Sequence, residues 1–210
     1  MSWNIFSNRI PGYQAIAARL NLSFLEEDQE RSLLNDHRGF KLFQRGGGKK
    51  IKYILYGNTT LSEAFQAFLY QFTISTGKSA HTYRQHVYSV MLTQRLPSFT
   101  LRPENLFHRI GKWFGLKDIN FNDYPEFSNA YLLKATREDE VRSIFNDQIL
   151  GFLSYEKGWW IECNGSRIIY FKHGKSMDEE MVEPFIQVAT SMHSLLVGKK
   201  PIEDLTNISR

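Results

Sequence analysis

The stretch GWWIECNGSRIIYF, residues 158–171, constrains the fold more than any other part of the chain. Two runs of aromatic and β-branched residues, which fit a pleated and half-buried surface, flank an Asn164-Gly165 dipeptide that tolerates the positive φ angles of a type I′ turn. A two-residue β-hairpin is expected, with Glu162 opposite Arg167, Ile161 opposite Ile168, Trp160 opposite Ile169 and Cys163 opposite Ser166. Each such pair contributes roughly 0.2–1 kcal/mol. An isolated hairpin is marginal in water, so this one requires further strands beside it and helices to cover its apolar side.

Those strands read from residue 51 onward. KYILYG, EAFQAFLYQFTIS and HTYRQHVYSVMLT are rich in Tyr, Phe, Val and Thr, are separated by GNTT and TGKSA, and predict three antiparallel strands. In the second, Phe68, Tyr70, Phe72 and Ile74 share one face and Ala67, Leu69, Gln71 and Thr73 the other, and the more apolar face is expected to pack inward. SFTL (98–101), DINF (118–121) and EFSNAYLLK (126–134) read as further short strands, and the three glycines of RGGGKK as a mobile loop or hairpin tip.

Helical periodicity appears in four places. Pro11 opens a helix over 11–20 with Tyr13, Ile16 and Leu20 on its buried side, and Pro103 opens another over 103–114. Thr136 with Asp139 resembles a helix start and Asn146 caps a second turn, together covering 137–155. Ser176 and Glu179 form a capping box before a helix over 178–197, with Phe185, Val188, Met192, Leu195 and Leu196 inward and Pro184 expected to kink or restart it. Strands and helices in grouped blocks give an α+β fold, a largely antiparallel sheet with helices packed on one face. Its 210 residues suit one domain, or two tightly packed lobes, a strand-rich basic one (1–101) and a mixed helix and hairpin one (102–210).

Charge is distributed unevenly. From His37 to Pro103 there are ten Lys and Arg against the single acid Glu63, whereas both flanks carry more acids than bases. Arg45, Lys49, Lys50, Lys52, Lys78 and Arg84 are therefore the candidate binding residues, suited to an acidic protein surface or a membrane face. Lys and Arg interleaved with Tyr and Phe also suit nucleic acid, but no RNP-type motif accompanies them and that partner is disfavoured. With one cysteine, Cys163, no signal-type apolar segment and no run of about 20 apolar residues, a cytoplasmic protein is expected.

Catalytic patterns fail one by one. Gly77-Lys78-Ser79 resembles half of a phosphate loop, but the first glycine of that motif is replaced by Phe72 and the residues after Ser79 favour a strand, so a turn is expected. DINFND imitates a calcium loop with Asp123 in place of the required Gly and Asn129 in place of Glu. His81 and His86 are five apart on a strand and point to opposite faces, and Cys163 shares a face with Trp159 and Ile161 as a small buried hydrophobe. No catalytic residue, metal or cofactor is assigned. The expected function is a non-enzymatic binding or assembly-factor module using the basic lobe; the alternative is an enzyme or small-ligand binder whose pocket gathers residues such as Tyr83, Arg84 and His86.

YQFTISTGKSAHTYRQHVYSV (70–90), FSNAYLLKATREDEVRSIF (127–145) and WWIECNGSRIIYF follow one another in an order that resembles a broad group of bacterial, including cyanobacterial, soluble proteins of unknown function. The resemblance, over about residues 53–197, implies a Tyr- and Thr-rich hairpin, a proline-led helix, a strand, a helix, a second hairpin and a closing helix. It attaches no site residue to any of them. GNTTLSEAF lacks the second glycine turn that this pattern leads one to expect between the first two strands.

Overall fold

The computed structural model describes residues 9–77, 79–104, 118–174 and 176–198. Most of the helix expected over 103–114 lies outside these residues, as does Lys78; Pro103 itself ends a strand.

The chain opens with helix α1 (Ile10–Leu20) and strand β1 (Ser23–Glu27), followed by two short helices, α2 (Ser32–Asp36) and α3 (Lys41–Gln44). Three long strands come next, β2 (Gly47–Asn58), β3 (Ala64–Ser75) and β4 (Ala80–Met91), then β5 (Phe99–Pro103). The remainder is α4 (Pro125–Ala130), β6 (Tyr131–Ala135), α5 (Glu138–Ile144), α6 (Asp147–Tyr155), β7 (Trp160–Cys163), β8 (Arg167–Phe171) and α7 (Glu179–Val197). All eight strands form one sheet in the order β1-β2-β3-β4-β8-β7-β5-β6, and every neighbouring pair is antiparallel. The fold is α+β, with the antiparallel sheet that the strand patterns required.

Side chains alternate across a strand, so the sheet has two faces of different make-up. On the first, Leu55, Ala67, Leu69, Tyr88, Leu101, Ile161 and Tyr170 meet the apolar sides of α1 and of α4 to α7. On the second, Ile54, Phe68, Tyr70, Phe72, Val87 and Phe171 meet Leu33, Leu34, Phe40, Leu42 and Phe43 from α2 and α3. The longer helices lie on one face as expected. The other face of β3 is buried too, because the segment between β1 and β2 folds back over it.

Several local readings change. EFSNA is helical, forming α4 behind Pro125, and only its continuation is a strand. DINF is not a strand; it runs beside β6, with the Ile119 N–H donating to the Leu133 carbonyl (2.8 Å) and the Asp118 carboxylate accepting the Leu133 N–H (2.9 Å). The terminal hairpin pairs Cys163 with Ile168 and Glu162 with Ile169, two residues away from the expected register. Positive φ falls on Gly165 (101°), while the Asn164 side chain accepts the Ser166 and Arg167 N–H groups at 3.2 and 2.9 Å. Asn164 thus holds the turn through its amide oxygen, and the loop centres on Gly165 and Ser166. A slip of two keeps each side chain on its face, so the core is unaffected.

The glycine triad is no loop tip. Gly47 already pairs with Thr73, and an extra residue on β2 before Lys50 makes a bulge in which Gly48 adopts φ 58°. Gly46 has φ 60°, and a Cβ there would lie 2.4 Å from the Thr73 carbonyl oxygen, so glycine is needed for both conformation and space. A second bulge after Lys52 places Tyr53 at φ 52°, with its ring stacked on Tyr13 at 4.8 Å.

Neither Ser176 with Glu179 nor Thr136 with Asp139 makes the expected side-chain cap, the N-cap positions being Asp178 and Arg137. Asn146 does cap α6, its side chain accepting the N–H groups of Gln148 and Ile149. α7 runs unbroken through Pro184, since the one donor it lacks is outweighed by the buried contacts of Val182, Phe185, Ile186 and Ala189 around it.

Candidate functional site

The basic residues singled out in the sequence divide between the two faces. Register pairs Lys50 with Gln71 and Gln71 with Arg84 on three adjacent strands, and Lys52 with Leu69 one step along. Directly opposed Cβ atoms lie about 4.5–5.5 Å apart, so Lys50, Gln71 and Arg84 form one row across the sheet. The row sits on the first face beyond the point where Tyr13 packs on the sheet, and toward the β3–β4 turn it continues into Thr73 and Thr82, whose hydroxyls meet at 3.0 Å. Lys50 and Thr82 are exposed, and Arg84 is half-buried with its Nε donating to the Gln71 amide oxygen at 2.8 Å. Lys52 reaches Glu27 on β1 at 3.1 Å, an ion pair in which both side chains keep about a third of their exposure and which adds little stability.

Arg45 and Lys49 do not join this row. Arg45 lies over the Phe72 ring on the second face, 6.0 Å from its centroid, and its Nη1 approaches His173 Nε2 at 3.0 Å. The Lys49 ammonium donates to the Phe43 carbonyl at 2.6 Å and thereby holds the end of α3. Gly77 lies in the turn between β3 and β4, and a strand rather than a helix follows Ser79. Tyr83, Arg84 and His86 do not converge. Tyr83 stacks on Phe72 on the second face (5.3 Å), whereas Arg84 and His86 face the other way, His86 being buried under Tyr13 with a 2.6 Å contact between the Tyr13 hydroxyl and Nε2.

The buried polar groups of the core were not legible in the sequence. His37 accepts the Ser89 hydroxyl on Nε2 (2.8 Å) and donates from Nδ1 to the Leu33 carbonyl (2.7 Å). The serine and histidine resemble a nucleophile and its base, but both are fully buried against Phe43 and Phe68, where no substrate reaches them. Cys163 is buried and its thiol is pushed up to about 11 by desolvation, the opposite of an activated nucleophile. Glu162 is buried below the start of α3, and desolvation raises its carboxyl to about 7 although the Lys41 and Leu42 N–H groups donate to it at 2.7 and 3.2 Å.

Among the described residues no group of three or more His, Cys, Asp or Glu side chains is arranged to hold a metal ion, and no helix is long and apolar enough to cross a membrane. No protein-family model and no curated protein matches the sequence. Among solved structures, the mycobacterial trehalose monomycolate transport factor A, TtfA, is similar at a TM-score of 0.60 and 12% identity, covering 92% of this chain and 97% of that one. The likeness establishes the fold alone.

Proposed function

We propose that this chain is a non-enzymatic binding module that docks onto an acidic protein surface through the first face of β2, β3 and β4. The observation that carries the reading is the row Lys50–Gln71–Arg84 with Lys52 beside it, set on rigid paired strands, with Lys50 exposed and the other three half-buried. A cationic face on a preformed sheet loses little conformational entropy on binding and steers an anionic partner toward it. The surrounding Thr73, Thr82 and Gln71 supply hydrogen bonds and no reactive group. The structural neighbour is a transport factor, a role with which a non-enzymatic module is compatible.

The test is affinity purification from the native host with the wild-type chain and with Lys50→Glu, Lys52→Glu and Arg84→Glu combined. The wild type is expected to retain an acidic partner that moderate salt releases and the triple variant does not capture. Unchanged recovery by the variant would sink the reading. Flotation with anionic vesicles, abolished by the same substitutions in the absence of a protein partner, would replace it with a membrane-facing role.

A further inference from the structure

On the second face, α2 and α3 cover β2 to β4, β8 and part of β7; on β5 and β6 Arg102 and Leu132 are buried, while Thr100 and Lys134 stay half-exposed. There Thr100 of β5 lies directly between Lys134 of β6 and Glu162 of β7, so that an ammonium, a hydroxyl and a carboxylate form a row across three strands. The start of α3 roofs the Glu162 end and brings Lys41 over the row. The resulting cleft, of about 260 Å³, is lined by Lys41, Lys134, Glu162 and the hydroxyl residues Ser98, Thr100 and Thr136. Burial lowers Lys41, Glu162 opposes that shift, and Arg102 and Lys134 lie near enough to lower it a little further. The lining thus carries two lysines and one carboxylate whose two oxygens already accept main-chain N–H groups, while Asp118 lies near Lys134 and Arg102.

We propose that this cleft binds a small tetrahedral dianion of the phosphate-monoester class, held by the Lys41 and Lys134 ammoniums and by the hydroxyls of Ser98, Thr100 and Thr136. Lysine acts on phosphate as a point charge, and hydroxyls satisfy the remaining oxygens. The volume holds a phosphate with a short carbon skeleton. Glu162 governs the affinity. The charged groups facing it are Lys41 of α3 and Arg45 just after that helix, with Arg102 of β5 and Lys134 of β6 beside Lys41 and Asp118 beside both of these. Protonated, Glu162 leaves the cleft cationic and able to donate a hydrogen bond; ionised, it repels the ligand. Binding tightens as pH falls through about 7.

Sulfate is the probe, because it takes up no proton between pH 6 and 8 and any pH dependence then belongs to the protein. In a ¹H–¹⁵N titration of the full chain, saturable shifts are expected at the amides of Lys41, Thr100 and Lys134. Affinity should be at least about fivefold tighter at pH 6 than at pH 8. Lys134→Gln should weaken it about tenfold with an unchanged melting temperature, and Glu162→Gln should remove the pH dependence. Glycerol 3-phosphate shifting the same amides points to a soluble ester. Flotation with phosphatidic acid vesicles that is lost in Lys134→Gln points to a lipid headgroup. Absence of saturable shifts at these amides, or equal affinity in Lys134→Gln, would overturn the assignment.

Discussion

His193 links three elements through its two ring nitrogens. The Tyr170 hydroxyl donates to Nδ1 at 2.9 Å, and Nε2–H donates to Glu63 at 2.7 Å, whose other oxygen accepts the Thr93 N–H at 3.0 Å. All of these groups except Thr93 are buried, so Glu63→Ala strands the His193 donor in the core, releases the Thr93 N–H and should lower stability by about 3 kcal/mol in urea unfolding. A loss below about 1 kcal/mol would show that water replaces the carboxylate. The histidines also set a pH dependence. Burial depresses His37 to about 4 and His86 to about 3, and lowers His193, whereas the unfolded chain takes up these protons near 6.5. Their contribution is present above pH 6.5 and is lost as pH falls toward the folded values, each by about 1.4 kcal/mol per unit. Glu162 works the other way. Raised to about 7 from 4.5, it destabilises the fold as pH rises through that interval. Asp118, raised by burial, acts with Glu162, but the three histidines outnumber the two carboxyls, so stability should fall from pH 6.5 to 4.5 by roughly 1 kcal/mol per unit, and a flat urea midpoint across that range would contradict the buried neutral rings.

At the level of elements, Asn146 shows how a single side chain sets a boundary. Its oxygen caps α6, and its amide nitrogen donates to the Leu195 carbonyl at 3.1 Å, fastening α6 to α7. Asn146→Ala should therefore cost about 2 kcal/mol, the upper end for a cap, read as a lower thermal midpoint. Gly46→Ala meets both a positive φ and the Thr73 carbonyl; a loss of about 2 kcal/mol is expected, and a neutral result would mean that the start of β2 is free to shift. β2 to β4 were legible because their signal is local, with alternation of period two and turns marked by Gly, Asn and Thr. The cover over the second face was not, because His37, Phe40 and Phe43 come from a segment whose charged and polar residues hide its apolar ones. The row Lys134–Thr100–Glu162 had no local signal either, its members lying on strands far apart in sequence.

For the molecule as a whole, charge and topology place the two proposed binding surfaces on opposite faces of the sheet. The positive middle of the chain was visible from composition, but its division was not. Strand parity and the bulges of β2 send Lys50, Lys52 and Arg84 to one face and leave Arg45 on the other. Binding at the first face should weaken steeply with added salt, and binding in the recessed cleft less so, since exposed charges are screened and recessed ones only partly. Isothermal titration of the partner and of sulfate at two ionic strengths checks this difference.

The strand order has one more effect, on synthesis. β4 pairs with β8 and β5 with β7, so in the sheet the early four strands and the β5–β6 pair are joined by the hairpin whose strands are made last. Until a ribosome has released residues 160–171, the β4 edge carrying Tyr88 and Val90 stays bare, and a nascent chain stalled before that point offers it to chaperones or to another copy of itself.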